Sequence, residues 1–358
     1  MEEDILLKID EKIGEVRTES IDISCNEIMS LIENKEMVIQ PDYQRLFRWS
    51  DEQKSKLVES IILELPIPEI YVVENEDGIF ELVDGLQRVS SITQFVNPEI
   101  LNLDGFTLNG CDLIDDLNGN QYEDLPLRLK LRLKRAVLRT VIIKRQSKKQ
   151  LRYQMFKRLN TGGSNLSEQE IRNVTARMIG ENGKEFYDFL KKMSDYPAFQ
   201  ICIETLPDTE ISKKMDEELI LRFFAAKNFL AQYRGNIANW LNEYMESILL
   251  KGNIFNYRKE EKIFVDTFTL LSNSLGAASF VRYKAGRPLG SLSPAYYEAV
   301  AVGLARSLDF GKIPTIQMLE EVVPKRLQED VFKRFTGPSA SKRSDIEGRI
   351  NSIFEIIP

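Results

Sequence analysis

Histidine is absent from all 358 residues of this chain. That absence removes Ser-His-Asp and Cys-His nucleophilic catalysis, His-ligated zinc and every His-containing metal-nuclease motif from this polypeptide. A bound cation would need oxygen ligands, which suits Mg²⁺. Cysteine is scarce: Cys25, Cys111 and Cys202 are odd in number and far apart. They fit a reducing compartment and neither a disulfide framework nor a zinc site. No apolar run reaches the roughly 18 residues that a membrane span requires, and the chain starts Met-Glu-Glu-Asp rather than with an apolar leader. A cytoplasmic protein with no membrane partner is expected. A Walker A loop is also missing, so ordinary P-loop ATPase chemistry is not expected.

With 43% apolar and 29% charged residues, the chain can bury an ample core in two domains or one large one. The net charge of −7 hides a sharp asymmetry. Residues 1–124 hold 29 acidic and 9 basic side chains, residues 125–167 hold 13 basic and no acidic ones, and the remainder balances at 26 each. A polyanion would be repelled by the first segment and met along the second. Lys144, Arg145, Lys148, Lys149 and Arg152 are the candidates for nucleic-acid binding there. The competing explanation is that the basic segment packs beside the acidic portion and neutralises it.

The first 165 residues read as mixed α/β. Ser24-Cys25-Asn26-Glu27 and Ser50-Asp51-Glu52-Gln53 have the pattern of capping boxes. The first opens a short helix to about Asn34. The second opens one carrying Leu57, Ile61, Ile62 and Leu65 at helical spacing, ended by Pro66 and Pro68. Ile70–Val73, a turn at Glu76-Asp77-Gly78, and Ile79–Val83 read as a hairpin. Ala136–Lys144 reads as another strand, followed by a basic amphipathic helix from Lys148 to Leu159 that stops at Asn160-Thr161-Gly162-Gly163. From Ser167, the head of a third capping box, the pattern turns almost entirely helical. Long apolar stretches such as Leu219–Phe224 and Ile263–Leu275 are separated at Gly235, Gly252, Gly286 to Gly290 and Pro314. The expected architecture is α+β, with a mixed domain over 1–165 and an all-α domain over 166–358.

The corner Asp84-Gly85-Leu86-Gln87-Arg88 carries the most chemistry. It joins the strand Ile79–Val83 to an expected helix over Val89–Val96. A strand running through Gly into a helix presents unpaired N–H groups at the positive end of the helix dipole, which suits an anion. Arg88 adds a planar fork matched to phosphate, and Ser90 and Ser91 add hydroxyls. An ordinary left-handed turn with a surface Arg would look the same over five residues. Pro41–Trp49 is a second group, in which Gln44 and Arg45 could face a ligand while Tyr43, Phe47 and Trp49 anchor the fold. At Asn160-Thr161-Gly162-Gly163 a glycine pair could form an anion-binding nest beside Arg158 and Asn160, or simply end a helix.

Four of these stretches occur in one order: PDYQRLFRW (41–49), LPIPEIYV (65–72), DGLQR (84–88) and FKRLNTGGSNLSEQEIRN (156–173). Together they resemble the domain of unknown function 262 family, the N-terminal, GmrS-like half of GmrSD-type modification-dependent restriction systems. The late Arg334-Phe335-Thr336-Gly337, followed by Ser339 to Ile350, resembles the tail of stand-alone members, so the likeness covers most of the chain. The resemblance implies a ParB/sulfiredoxin-like fold in which a Gly-x-x-Arg corner binds nucleotide phosphates. It implies that Gly85 lets the backbone approach phosphate, that Arg88 neutralises it, that Asp84 holds Mg²⁺ or orients a water, and that Gln87 contacts the nucleotide or that water. Gln44 and Arg45 would line the same cleft. The usual pattern has Gln where Leu86 stands, so any polar role of that position is lost here.

The resemblance therefore implies a nucleotide-binding sensor or regulatory module of a prokaryotic defence system, with a nucleoside triphosphate and Mg²⁺ as its ligands. Asp84, Gln87 and Arg88 are its candidate catalytic groups, and whether the triphosphate is hydrolysed stays open. Relatives often carry a fused His-containing HNH nuclease. With no His, this chain would need a separate nuclease subunit, through which DNA would be reached. The alternative is a non-catalytic DNA-binding or adaptor protein using the basic 125–167 segment and the late Lys325-Arg326, Lys333-Arg334 and Lys342-Arg343 pairs. A homo-oligomer is compatible with either.

Overall fold

The computed structural model describes residues 17–39, 49–148, 167–337 and 340–358, together with Leu6, Glu15 and Met155. The chain separates into two units, Met1–Gly162 and Gly163–Pro358.

The first unit is built on five strands: β1 (Thr18–Ser24), β2 (Met37–Val38), β3 (Ile70–Glu74), β4 (Phe80–Asp84) and β5 (Val137–Ile143). They form one mixed sheet in the order β1-β5-β3-β4-β2. β1 runs antiparallel to β5 and β3 antiparallel to β4, whereas β3 with β5 and β2 with β4 are parallel. β3 is central, and Ile70, Val72 and Val73 are buried on it, as a strand covered on both faces requires. The β3–β4 connection is the expected hairpin. Its turn is closed by Asn75, whose Oδ1 accepts from the N–H groups of Asp77 and Ile79, both at 2.9 Å.

Around the sheet lie α1 (Cys25–Glu33), α2 (Asp51–Ile62), α3 (Leu86–Val96) and α4 (Leu127–Arg135), with short 3₁₀ turns at Pro98–Leu101, Asp115–Leu117 and Tyr122–Asp124. The cap residues behave as their chemistry demands. Ser24 accepts from the Glu27 N–H, and Ser50 and Gln53 make both halves of a capping box. The end of α2 corrects the sequence expectation. The helix stops at Ile62, Glu64 turns left-handed (φ 57°) and Leu65 lies beyond it, half exposed. Pro66 and Pro68 disfavour helical backbone just before them, so termination comes a turn earlier than the apolar spacing suggested.

α4 has the sequence LRLKLRLKR, whose strict alternation is a strand's period, yet it is helical. A helix with Leu at every second position cannot hide them all. Leu133 is buried, while Leu127 stays 71% exposed.

The second unit opens with α5 (Glu168–Met178), after a complete Ser167–Glu170 capping box. It continues through α6 (Glu181–Ser194), α7 (Met215–Asn228), α8 (Ile237–Leu249) and α9 (Tyr257–Ser274). α10 is a continuous run made of Pro294–Tyr297, a π-helical turn over Glu298–Val302, and Gly303–Asp309. α11 (Ile316–Arg326) and α12 (Arg343–Phe354) close the chain. α7 is apolar on every side from Leu219 to Ala226, the mark of a helix surrounded by others, and all its residues there but Arg222 are fully buried. Phe223, Phe224, Phe264 and Phe268 meet at ring distances of 4.3–5.9 Å in its core.

A ladder of buried charges crosses this core. Arg172 bonds Glu218 (3.1 Å), Glu218 bonds Arg222 (2.9 Å), Arg222 bonds Glu298 (3.1 Å), and Glu298 lies 2.6 Å from Arg349. Burial pushes the Glu218 carboxyl up, but the Arg222 and Arg172 guanidiniums overcome it and hold the group below its ordinary range. The unit is not wholly helical as expected. The glycine-rich break holds a hairpin of β6 (Arg282–Lys284) and β7 (Arg287–Leu289). No described helix is long and apolar enough to cross a membrane, and all three cysteines are free and buried.

Candidate functional site

β4 ends at Asp84 and α3 begins at Leu86, so a single residue makes the corner. Gly85 has φ 96°, ψ 11°, a left-handed conformation that only glycine adopts without strain. A side chain there would also collide with the sheet: a Cβ would stand 2.4 Å from Ile70 Cγ2 and 2.9 Å from Ile70 Cβ. The glycine thus has an internal cause, close packing on β3. Gly85 is also the N-cap, and it offers no side-chain acceptor to the first-turn N–H groups.

Arg88 lies one turn into α3 and reaches back. Its Nη2 donates to Asp84 Oδ2 at 2.8 Å and to the Glu69 carbonyl at 2.9 Å, while its buried Nε has no acceptor among the described residues. The guanidinium is 16% exposed and Asp84 29% exposed, so this pair sits at the edge of solvent. Two residues that sequence reasoning passed over complete the group. Tyr71 stands opposite Asp84 across the β3–β4 ladder, at an irregularity in register, and its hydroxyl donates to Glu69 Oε1. That bond, reinforced by burial and by the nearby carboxylates, pushes the Tyr71 phenol up to about 12. The signal was in the sequence: Glu69 and Tyr71 belong to LPIPEIYV, and hairpin pairing carries position 71 to the strand end that holds Asp84.

Gln87 Oε1 accepts from the Trp49 N–H at 3.3 Å, which brings the end of the PDYQRLFRW motif to the corner. Gln44 and Arg45, earlier in that motif, lie outside the described residues, as do Lys149, Arg152, Arg158, Asn160 and the expected basic helix beyond Lys148. Ser90 and Ser91 are buried, and their hydroxyls donate to helix carbonyls, Ser90 to Leu86 (2.7 Å) and Ser91 to Gln87 (2.6 Å). Their hydrogens are thereby committed within α3.

In the described part of the basic segment five side chains pair with acid, while Arg128, Lys134 and Arg135 on α4 have no carboxylate partner among the described residues. Lys144 pairs with Glu19 at 2.6 Å, Lys148 with Glu15 at 2.7 Å, Arg139 with Asp22 at 3.5 Å, Arg132 with Glu64 at 3.2 Å and Lys130 with Glu123 at 2.8 Å. Arg145 donates to the Glu76 carbonyl. Of the two explanations for the charge asymmetry, neutralisation is the arrangement seen among these residues. In the late basic pairs, Lys325, Arg326 and Lys333 likewise bond Glu321, Glu329 and Asp330. The last motif ends inside the helical unit, where Arg172 is 1% exposed and bonds Asn242, Gln169, Glu218 and the Ala238 carbonyl.

A separate cleft of about 700 Å³ opens between the end of α2, α4 and the start of β5. It has an apolar floor from Ile61, Leu65, Ile67 and Leu131, with Arg128 and Arg135 among the residues lining it. None of the Asp84–Arg88 residues lines it.

No described group of three or more Asp, Glu or Cys side chains could hold a metal by itself. Asp84 fits a smaller part. The Arg88 bond uses Oδ2 and leaves Oδ1, and Mg²⁺ is usually held by one or two carboxylates together with substrate phosphates.

Comparison with known proteins agrees with this geometry on one point and is silent on the rest. No curated protein and no solved structure matches the chain. Residues 26–176 match the family described as GmrSD restriction endonuclease, N-terminal domain. The match takes in the whole corner and every strand of the sheet but β1, and it runs past residue 162 into α5. The chain therefore carries an N-terminal domain of the GmrSD restriction endonuclease family.

Proposed function

We infer that the chain has a role in restriction or defence, to which a GmrSD-type N-terminal domain points. We propose that within such a role the Asp84–Arg88 corner binds the phosphates of a nucleoside triphosphate and that the chain is the nucleotide-responsive module of the system. The observation that carries this reading is the pairing of a helix start whose N-cap, Gly85, has no side chain with a guanidinium held beside it by Asp84 and the Glu69 carbonyl. First-turn N–H groups and an Arg fork converge on one anion. Fixing Arg88 in advance lowers the entropy lost on binding. Asp84 Oδ1 would hold Mg²⁺ arriving with the phosphates, and the cation would supply charge neutralisation there. Gln87, tied to Trp49, links occupancy of the corner to the PDYQRLFRW motif. These 358 residues hold no histidine for an HNH centre, so DNA cleavage of that kind lies outside them. A DNA contact through Lys144 or Lys148 would first have to break their ion pairs with Glu19 and Glu15.

Calorimetric titration with each of the common nucleoside triphosphates, with and without Mg²⁺, tests the proposal. At least one should bind. Arg88→Ala should abolish the heat, while Lys325→Ala, in an exposed ion pair elsewhere, should leave it unchanged. If no triphosphate binds the wild-type chain under either condition, the proposal fails.

A further inference from the structure

The hairpin of β6 and β7 differs from the ion-paired basic residues described above. Its turn, Ala285-Gly286, has positive φ at both residues (51° and 77°), the two-residue form whose twist matches a tight ribbon. The register pairs Arg282 with Leu289, Tyr283 with Pro288 and Lys284 with Arg287. Residues two apart on a strand share a face, as do directly opposed residues. Arg282, Lys284 and Arg287 therefore all stand on one face of the ribbon together with the exposed Leu289, with Tyr283 and Pro288 on the other. The three cations are exposed and have no carboxylate or other bonding partner among the described residues.

That arrangement costs stability. Lys284 and Arg287 are directly opposed like charges, separated at Cβ by about 5 Å, and Arg282 follows about 7 Å along the strand. The ribbon is nonetheless held in place at both ends. At its root Phe280 and Val281 are buried in the helical core, and the Tyr283 hydroxyl donates to the Ala278 carbonyl at 3.1 Å. At its tip the Gly286 N–H donates to Gln328 Oε1 at 3.0 Å. A rigid, exposed face with three uncompensated cations is a preformed anion receptor, in contrast to Lys144, Lys148, Lys325 and Lys333, whose charges are already met.

We infer that this ribbon face is a contact site for the phosphate backbone of duplex DNA. Three charges so close together match a polyanion with one charge per ~1.7 Å of axis, and a two-stranded ribbon is narrow enough to enter the major groove. DNA is the polyanion favoured because residues 26–176 match the N-terminal domain of the GmrSD restriction endonuclease family, which points to a restriction or defence role. The contact is independent of the nucleotide reading of the Asp84–Arg88 corner. It is a positioning contact, since phosphates carry no sequence information directly.

Fluorescence anisotropy of the full chain with a labelled duplex DNA oligonucleotide, across a salt series, tests this. The wild-type chain should bind with affinity that falls steeply with salt. Replacing Arg282→Gln, Lys284→Gln and Arg287→Gln together should weaken binding at least about tenfold and flatten the log–log salt slope by about 2.7, three phosphates at 0.9 each. The paired cations Lys325→Gln and Lys333→Gln should change affinity less than twofold, and Arg88→Ala should leave DNA binding intact. Because the three side chains are exposed and mutually repelling, the triple variant should melt no lower than wild type, which separates lost contact from lost fold. The inference is overturned if the wild-type chain does not bind duplex DNA, if the triple variant keeps its affinity and salt slope, or if an acidic peptide displaces the DNA at equal charge concentration.

Discussion

Gly85→Ala is the sharpest test of how the corner is built. The substitution must place a β-carbon on a residue with φ 96° and within 2.4 Å of Ile70 Cγ2, on a side chain that is 0% exposed. Left-handed backbone costs a residue with a side chain about 1–2 kcal/mol. Forcing a methyl into a filled site adds roughly 1–3 kcal/mol, because the backbone or Ile70 must move. The expected loss is thus about 2–5 kcal/mol. For a cooperative unit of this size that corresponds to a fall in melting temperature of about 5–15 °C. Urea unfolding followed by circular dichroism gives the value directly, and a second variant identifies its cause. Ile70→Ala alone removes a buried side chain and should cost about 2–5 kcal/mol. In the double variant the space left by Ile70 receives the new methyl, so the combined loss should fall short of the sum by at least ~1 kcal/mol. Strict additivity, or a Gly85→Ala loss below about 0.5 kcal/mol, would refute the packing account of this glycine.

Two further outcomes follow from buried charge and from the Tyr71 phenol. Glu298 joins Arg222 and Arg349 inside the helical unit, so Glu298→Ala leaves two guanidiniums without their shared carboxylate and should cost about 3–5 kcal/mol; an unchanged denaturation midpoint would contradict the ladder. The Tyr71 phenol is raised from 10.0 to about 12, first by its bond to Glu69. A folded value above the unfolded one means that its stabilisation is complete below the unfolded value and is lost as pH rises through the folded one. Comparing phenolate absorbance of wild type and Tyr71→Phe should show this group still protonated when an ordinary tyrosine is half ionised, and a difference curve centred at the ordinary value would show that the Glu69 bond does not form in solution.

Local chemistry was legible without coordinates. Ser50 with Gln53 and Ser167 with Glu170 announced two helix starts, Glu76 through Gly78 a turn, and Asp84–Arg88 a strand-to-helix corner, because each depends on neighbours in sequence. Periodicity gave no sign of α4, where alternating Leu and basic residues have a strand's period although the backbone is helical. It also overran at Leu65, and the small hairpin at 282–289 hid within a glycine-rich break. At the corner, Arg88 and Asp84 could be picked from the sequence. Their bond to each other, and the part played by Glu69 and Tyr71, could not, because Tyr71 meets Asp84 only through strand register.

The sequence by itself determined the division into a mixed and a helical portion, the absence of histidine chemistry and the identity of the corner. These rest on composition and on interactions spanning about one helical turn. Tertiary structure alone decided which charges are free. Lys144 and Lys148 are matched by Glu19 and Glu15 more than a hundred residues away in the chain, whereas Arg282, Lys284 and Arg287 meet no acid among the described residues. Charge is a property of residues, but its neutralisation acts through space and falls off over a few ångströms, and only the fold sets those distances.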